Sequence, residues 1–317
     1  MGESMELGRS GLIVPLLGIG AMTWGDPAAI SRMSPARLAY GLRGTRDDQR
    51  EAMETSISLG AGLVDTAAMY GHGESERRVG ELAQGRPVLI ATKFPLGFTS
   101  GAGRLPRDLE GSLARLRRTT IDLYQVHYPA WRSIPRMMKL MAAAVKAGKV
   151  RAVGVSNFSA AQMRLAHASL GEHGVALASN QVQYSLLCRQ PESDGVLDVC
   201  RELGVTLIAY MPLASGALTG KYSLSNRPEG FRRRTSYFRE DGLRALQPVL
   251  GLVKDIADRH GRTTGQVALR WLIQRGALPI PGARDREQAA HNAGALAFAL
   301  ESGEMEALDS ATAAWRK

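Results

Sequence analysis

Short apolar stretches rich in β-branched residues recur eight times along this chain, and amphipathic stretches separate them. The candidate strands are residues 16–22, 62–66, 88–93, 121–127, 152–157, 178–183, 206–211 and 278–281. Helical apolar spacing occurs between them, for instance at residues 49–59, 75–83 and 266–274. Strands that alternate with helices are typical of a parallel sheet, because parallel strands need a crossover connection. Eight such units without a break in composition predict a closed (β/α)8 barrel over residues 1–317, in one domain.

Three regions lie outside this alternation. Residues 7–15 contain the turn sequence GRSG and predict a small β-hairpin that caps the bottom of the barrel. The connections at residues 23–46 and 214–240 are rich in Gly, Pro, Ser and Arg and show no clear period. We interpret these two connections as functional loops, because long irregular connections in compact domains usually carry function.

Composition narrows the class of protein. Hydrophobic residues make up 44% and charged residues 22%, the balance of a soluble globular enzyme. Cys188 and Cys200 lie in no CxxC or Cys/His pattern, so we expect reduced thiols in a cytoplasmic protein. The histidines show no ligand spacing, which predicts no metal site. No run of 18 apolar residues is present, which argues against a membrane span.

The formal net charge of +10 comes from arginines spread along the chain, with one dense run at residues 232–234. A basic balance is compatible with nucleic acid or with an anionic small ligand. No zinc-finger spacing, RNP motif or basic helix interleaved with aromatic residues is present. The charge therefore favours a polyanionic small ligand over nucleic acid.

Polar residues stand at the carboxyl ends of three neighbouring predicted strands, where barrel enzymes hold their sites. Asp65 ends the second strand, Lys93 the third and His127 the fourth, and Tyr70 follows the second strand in AMYGHGES. A carboxylate keeps a buried lysine charged, and that ammonium should lower the pKa of the tyrosine. The phenol could then protonate a developing alkoxide beside a neutral histidine. Each residue alone has an ordinary structural explanation, but four together favour catalysis.

With these residues the sequence resembles the aldo-keto reductase superfamily over nearly its whole length. The matching motifs are DTAAMYGHGESERRVG, IATKF, DLYQVHYP, VRAVGVSNF, NQVQYSLL, AYMPLASGALTGKY and IPGARDREQAAHNAGA. The resemblance implies reduction of an aldehyde or ketone by hydride transfer from NADPH, with Tyr70 as general acid. The implied catalytic tetrad is Asp65, Tyr70, Lys93 and His127. A nicotinamide-binding regulatory subunit with slow redox activity is the alternative, because such relatives keep the tetrad.

The resemblance also implies where the cofactor, NADPH or NADP+, binds. The nicotinamide carboxamide would be bound by Ser156, Asn157 and Gln181, in the fifth and sixth predicted strands. Tyr210 would stack on the nicotinamide ring, and the segment 213–221 would cover the pyrophosphate. The implied contacts are Ala21, Met22, Asp65, Ser156, Asn157, Gln181, Tyr210, Met211, Leu213, Ser215, Gly216, Leu218, Lys221, Gly282, Arg284, Gln288 and Asn292.

A physical argument that does not depend on the resemblance also supports the binding of this cofactor by Arg284. It lies between a glycine-containing turn and a predicted helix start, which is a suitable place for an anion. A guanidinium can bind a 2′-phosphate through two charge-assisted hydrogen bonds. This position therefore favours NADP over NAD.

Two positions depart from the family pattern. Met211 replaces a common serine, and His291 replaces a glutamate before Asn292. One hypothesis is that residues 232–234 compensate by closing over the pyrophosphate or the 2′-phosphate. The alternative is a solvated basic loop, because charge runs are often only surface.

The substrate is expected to be a small carbonyl compound, bound by a monomer or a homodimer. Trp24, Tyr128 and Trp131 lie just beyond strand ends and could form an aromatic wall next to Tyr70 and His127. Each of the three could equally pack under a loop, which is the commoner position of tryptophan.

Overall fold

The computed structural model describes residues 3–30, 37–38, 41, 44–94, 102–129 and 134–316. An antiparallel hairpin of β1 (Ser4–Glu6) and β2 (Ile13–Pro15) precedes the main sheet. The predicted hairpin at residues 7–15 is therefore present, but its first strand begins earlier and residues 7–12 form the turn. The two glycines of GRSG, Gly8 and Gly11, adopt positive φ values of 59° and 73° within this turn, which glycine does without a steric penalty.

Eight parallel strands form the main sheet, and strands adjacent in the chain are also adjacent in the sheet. They are β3 (Ile19–Gly20), β4 (Leu63–Asp65), β5 (Leu89–Phe94), β6 (Ile121–Val126), β7 (Val150–Ser156), β8 (Leu177–Gln183), β9 (Thr206–Tyr210) and β10 (Leu278–Pro279). Each overlaps one predicted strand, so all eight predictions are confirmed apart from their ends. The largest difference is at β3, because residues 16–18 and 21–22 fall outside its two-residue ladder.

The sheet closes between its first and last strands. The Gly18 amide donates to the Pro279 carbonyl at 3.0 Å, and the Gly20 amide donates to the Pro281 carbonyl at 2.9 Å. Gly20 and Gly282 add a parallel bridge. The two backbones can approach each other because Gly20 has no side chain; a Cβ there would lie only 3.1 Å from the Ile280 carbonyl oxygen. The predicted (β/α)8 barrel is thus confirmed, with helices between its strands.

The helices between the strands and after them follow the amphipathic stretches of the sequence. They are α1 (Arg46–Ser58), α2 (Glu74–Leu82), α3 (Leu105–Leu116), α4 (Ile134–Lys146), α5 (Ala160–Gly171), α6 (Gln190–Ser193), α7 (Val196–Leu203), α8 (Glu240–His260), α9 (Thr264–Gln274), α10 (Arg286–Ala293) and α11 (Ser302–Ala311). Capping boxes begin α1, α5 and α9, at Thr45, Ser159 and Thr263. Each box satisfies amide groups that a helix start leaves unpaired, and so fixes where these helices begin.

The interior of the barrel is apolar near the amino ends of the strands. Leu63, Ala91 and Leu123 belong to one buried cluster there, together with Leu7 and Leu12 of the hairpin turn. The hairpin therefore caps the bottom of the barrel, as predicted. The opposite, carboxyl end of the barrel interior is lined by polar side chains.

The connection at residues 214–240 contains three short 3₁₀ helices, at Ala214–Thr219, Gly230–Arg234 and Ser236–Phe238. Such short turns show no 3.6-residue period, which explains the irregular pattern of the sequence. Much of the other long connection, residues 23–46, lies outside the described residues.

None of the described helices is long and apolar enough to cross a membrane. Among the same residues no group of three or more His, Cys, Asp or Glu side chains could hold a metal ion.

Candidate active site

A buried ion pair joins the ends of two neighbouring strands. Lys93 Nζ donates to Asp65 Oδ2 at 2.5 Å and to the Thr66 carbonyl at 2.8 Å. Lys93 is fully buried, and Asp65 is 3% exposed. Side chains alternate along a strand, so Leu89, Ala91 and Lys93 share the face of β5 that points into the barrel. Ala91 lies in the apolar cluster at the bottom of the barrel and Leu89 packs against it, and Lys93 is the first inward-facing residue of β5 beyond that cluster.

Tyr70 is brought to this pair by an unusual stretch of backbone. It begins the 3₁₀ segment Tyr70–Gly73, in which the φ values of Gly71, His72 and Gly73 are 56°, 54° and 90°. The Tyr70 hydroxyl lies 3.4 Å from Lys93 Nζ, and Nζ lies 4.9 Å from the centre of the Tyr70 ring. Left-handed backbone at a non-glycine residue such as His72 is costly and is found most often at functional sites.

Burial raises the pKa of the Tyr70 phenol above its ordinary value, and the nearby Lys93 opposes this without cancelling it. Lys93 therefore lowers the pKa of Tyr70 as expected, but the expected net lowering is wrong, because the loss of solvent outweighs the ammonium charge. The phenol is protonated at neutral pH, as a proton donor must be. Burial also disfavours the Lys93 ammonium, but Asp65 and, after it, Tyr70 together more than offset this, and the pKa of Lys93 is raised.

His127 faces Tyr70 from the end of β6. The two rings are 5.8 Å apart and nearly perpendicular, at 82°. Burial, followed by the charge of Lys93, lowers the pKa of His127 to about 3. The imidazole is therefore neutral, as expected from the sequence. No described residue offers a hydrogen-bond partner to its buried Nδ1 atom.

Gln125 is a site residue that the sequence reasoning missed. It is fully buried, its Nε2 atom lies 3.3 Å from Asp65 Oδ1, and Gln181 Nε2 donates to the same oxygen at 2.8 Å. The two amides hold the carboxylate from the side opposite Lys93. The signal was present in DLYQVH, because Gln125 stands two residues before His127 and so shares its face of the strand. Gly154 leaves room for it, since a Cβ there would lie 2.9 Å from Gln125 Cγ.

The residues expected to bind the nicotinamide lie together. Asn157 Nδ2 donates to the His127 carbonyl and to Ser156 Oγ, both at 3.1 Å, and its Oδ1 atom accepts from the Tyr210 hydroxyl at 3.0 Å. Ser156 Oγ donates to the Gln181 carbonyl at 2.8 Å. Asn157 has φ +60°, which turns its side chain back across the strand ends. These hydrogen bonds fix the predicted nicotinamide residues relative to the tetrad.

A second run of left-handed backbone follows β9. Met211, Ala214 and Ser215 have φ values of 51°, 48° and 57°, and Gly216 has 95°. The Ser215 carbonyl accepts a hydrogen bond from Arg232 Nη1 at 3.1 Å. Arg232 is half-buried against this segment, whereas Arg233 and Arg234 are exposed. Of the three arginines expected to close over the cofactor phosphates, Arg232 is therefore the one that contacts the predicted pyrophosphate segment.

At the predicted adenosine end, Asp285 begins α10 and accepts from the Gln288 amide at 2.8 Å. The predicted helix start is confirmed. Gln288 Oε1 accepts from the Arg284 amide at 3.1 Å, and Asn292 Nδ2 donates to the Gly282 carbonyl at 3.2 Å. The Arg284 guanidinium makes no hydrogen bond or ion pair to any residue that the structure describes. Its charge is therefore available to a ligand at this helix end.

Other predicted cofactor residues contribute little side-chain surface. Ala21 and Leu218 are fully buried and pack in the main core. The Ala21 amide donates to the Asp65 carbonyl at 2.8 Å, which places this backbone beside the tetrad. Met22 and Leu213 are half-buried, and Lys221 is exposed with Nζ 5.0 Å from the centre of the Tyr222 ring.

Of the expected aromatic wall, Tyr128 alone fits among the described residues. Its ring stacks on His127, 4.8 Å away and 5° from parallel, and it is 47% exposed. Trp24 does not fit, because it is fully buried and its indole N–H donates to the Ala283 carbonyl at 2.7 Å. Its position agrees with the alternative given for Trp24, namely packing under a loop. Trp131 lies outside the described residues.

Comparisons with known proteins show which sequences and folds are similar to this chain. The model of the aldo/keto reductase family matches residues 16–313. A pyridoxal reductase from Arabidopsis thaliana chloroplasts is 36% identical, with 95% of this chain and 84% of the relative covered. A glycerol dehydrogenase from Gluconobacter oxydans superposes with a TM-score of 0.83 at 25% identity, covering 98% and 95% of the two chains. An aldo-keto reductase from Klebsiella pneumoniae, solved in complex with NADPH, gives 0.73 at 28% identity over 98% and 95%.

Proposed function

This chain belongs to the aldo/keto reductase family, and we propose that it reduces aldehydes or ketones with NADPH, with Tyr70 as the proton donor. The observation that carries this proposal is the position of the Tyr70 hydroxyl, 3.4 Å from a buried ammonium and opposite a neutral imidazole. A carbonyl oxygen between Tyr70 and His127 would meet two neutral hydrogen-bond donors. Such donors stabilise the negative charge that develops on that oxygen during reduction.

NADPH, when bound, supplies the hydride that adds to the carbonyl carbon. Tyr70 transfers its phenolic proton to the carbonyl oxygen, which completes the alcohol. The phenolate left on Tyr70 lies beside the Lys93 ammonium, whose charge stabilises it until solvent returns the proton. Asp65 in turn keeps Lys93 charged inside the barrel. His127 holds and orients the oxygen without giving up a proton.

Several features fit the nicotinamide and the phosphates. The Asn157 side chain and the Tyr210 ring lie at the strand ends next to the tetrad, where the nicotinamide must reach the substrate. The left-handed backbone at residues 214–216 could lie along a pyrophosphate. Gly216 suits this backbone, because its φ of 95° lies in the region that glycine adopts without a steric penalty.

At the far end, Arg284 would hold the 2′-phosphate. Its guanidinium has no partner among the described side chains, whereas the first turn of α10 is already capped by Asp285. An anion here would therefore depend on the arginine more than on the amide of Gln288. Arg232 would steady the pyrophosphate segment through its hydrogen bond to Ser215.

The test is NADPH oxidation against a panel of aldehydes, α-dicarbonyls and ketones, with Tyr70→Phe. Loss of the proton donor should lower kcat by roughly 10²- to 10⁴-fold and leave the Kd for NADPH nearly unchanged. Tyr184→Phe is the matched control, because its hydroxyl donates to Glu192 at 2.8 Å and touches no tetrad residue. Wild-type turnover by Tyr70→Phe would refute the role of Tyr70. Tight NADPH binding without turnover in the wild type would favour a regulatory nicotinamide-binding protein.

A further inference from the structure

Glu76 is a fully buried carboxylate that takes no part in the chemistry proposed above. It lies in the first turn of α2, which begins directly after the Tyr70–Gly73 segment. A buried carboxylate needs donors, and this one has two. Glu76 Oε1 accepts from Thr92 Oγ1 at 2.6 Å, and Oε2 accepts from Arg115 Nε at 2.6 Å. These bonds join β5, α2 and α3 at one point.

Thr92 connects this carboxylate to the strand that carries Lys93. The two residues are consecutive in β5, and both are fully buried. Successive side chains of a strand point to opposite faces, so Thr92 faces α2 while Lys93 faces the barrel interior. Glu76 therefore holds the outer face of the strand at the position where the inner face presents the ammonium.

Arg115 connects the same carboxylate to the backbone that carries Tyr70. A Cβ on Gly73 would lie 2.6 Å from Arg115 Cδ, and one on Gly111 would lie 3.1 Å from Arg115 Nη1. The arginine stem thus lies against Gly73, at the end of three consecutive residues with positive φ. Such backbone persists where the surrounding structure holds it in place.

The residue before Glu76 makes an equivalent link to β4. Ser75 Oγ lies 2.7 Å from Thr66 Oγ1 and donates to the Ala21 carbonyl at 2.7 Å. The Thr66 carbonyl is the second acceptor of Lys93 Nζ. The first turn of α2 therefore contacts the neighbours of Asp65 and Lys93 and continues the segment of Tyr70.

We infer that Glu76 is a positioning residue: through Thr92 and Arg115 it fixes the separation between the Tyr70 hydroxyl and Lys93 Nζ. The inference rests on the proposed function, because this separation matters for turnover if Tyr70 donates the proton.

Among the described residues, the charged and titratable groups that face or interact with Tyr70 are Lys93, Asp65, His127, Tyr128 and Tyr210. Lys93 is the one that lowers the pKa of the phenol, against burial. If Lys93 moves away, that pKa rises further and the phenolate formed during reduction is less stabilised. The proton transfer should then slow, while cofactor binding, which uses other residues, should not change.

Two variants test this in the full chain. Thr92→Val removes one donor to Glu76 and keeps the shape, and Glu76→Gln keeps the size but removes the charge. Thr206→Val is the matched control, because this buried threonine accepts from the Gly8 amide at 2.8 Å at the opposite end of the barrel. The readouts are kcat, the Kd for NADPH, the pH dependence of kcat/KM, and a spectroscopic titration of Tyr70, taken as the difference between each variant and the same variant carrying Tyr70→Phe.

We expect Thr92→Val and Glu76→Gln to lower kcat by about 10- to 100-fold with an unchanged Kd for NADPH. The alkaline limb of kcat/KM and the Tyr70 titration should both move to higher pH, and Thr206→Val should show neither effect. A lower kcat with an unmoved Tyr70 titration would overturn the inference, because general destabilisation gives that pattern. Should the wild type reduce no carbonyl, the proposed function fails, but the titration still decides whether Glu76 positions Tyr70.

Discussion

Lys93 Nζ lies 2.5 Å from Asp65 Oδ2 inside the barrel, and neither side chain has appreciable contact with solvent. Desolvation of two charges offsets much of the attraction between them, so a buried pair of this kind contributes little net stability. Replacing only one residue of the pair is destabilising, however, because the other charge then stays buried without a partner. The pair is better explained by the ammonium it holds next to Tyr70 than by the stability of the fold.

Lys93→Met should separate these two roles. It leaves the Asp65 carboxylate without its cation, and we expect the free energy of unfolding to fall by about 3–5 kcal/mol. The double variant Asp65→Asn/Lys93→Met contains no isolated charge, so it should regain most of that loss. Turnover should remain at least roughly 100-fold below wild type in both, because the ammonium is absent. Urea denaturation and NADPH oxidation measure the two quantities, and equal stability of the single and double variants would contradict the prediction.

The pKa of His127 leads to a prediction about acid stability. Burial and then Lys93 depress it from its ordinary 6.5 to about 3. Between these pH values the unfolded chain binds a proton on His127 that the folded chain does not bind. Protonation therefore favours the unfolded chain, and the free energy of unfolding decreases as the pH falls from about 6.5 towards 3.

His127→Gln removes that proton. The free energy of unfolding of the wild type should therefore fall more steeply than that of the variant, by about 1.4 kcal/mol per pH unit between roughly pH 6 and 4. Urea denaturation of both proteins across this range measures the slopes. Parallel slopes would mean that the imidazole is protonated in the folded protein. The same neutral state predicts no acid limb from His127 in kcat/KM near neutral pH.

The sequence predicted the strands and the tetrad for a physical reason. Apolar strands and polar strand ends are local patterns, and in a parallel barrel all strand ends meet on one rim. The pKa of Tyr70 could not be predicted in this way, because it depends on how far burial outweighs Lys93. The role of Trp24 was equally open, since the acceptor of its indole N–H is Ala283, 259 residues further along the chain. Gln125 was within reach, because it shares its strand face with His127.

Arg284 and Arg286 provide a matched pair for testing cofactor choice. Arg284 precedes α10, while Arg286 is exposed in its first turn and makes no ion pair with a described residue. Arg284→Ala should weaken NADPH binding by about 10- to 100-fold, the worth of a charge-assisted hydrogen bond to phosphate, and leave NADH binding nearly unchanged. Arg286→Ala should affect neither. Fluorescence titration gives the six dissociation constants, for the wild type and both variants with each cofactor. Equal losses for NADPH and NADH in Arg284→Ala would show that Arg284 does not bind the 2′-phosphate.

Gly8 and Gly11 test how firmly the hairpin caps the barrel. Both have positive φ, so alanine at either position costs about 1–2 kcal/mol in backbone conformation. A Cβ on Gly8 would also lie 2.5 Å from the Ala178 carbonyl oxygen, whereas one on Gly11 would meet nothing within 4 Å. Gly8→Ala should therefore destabilise the protein by roughly 1–3 kcal/mol more than Gly11→Ala in urea denaturation. Because the hairpin lies at the end of the barrel opposite Tyr70, kcat per folded molecule should not change in either variant. Equal destabilisation would mean that the turn can lift away from β8 at no cost.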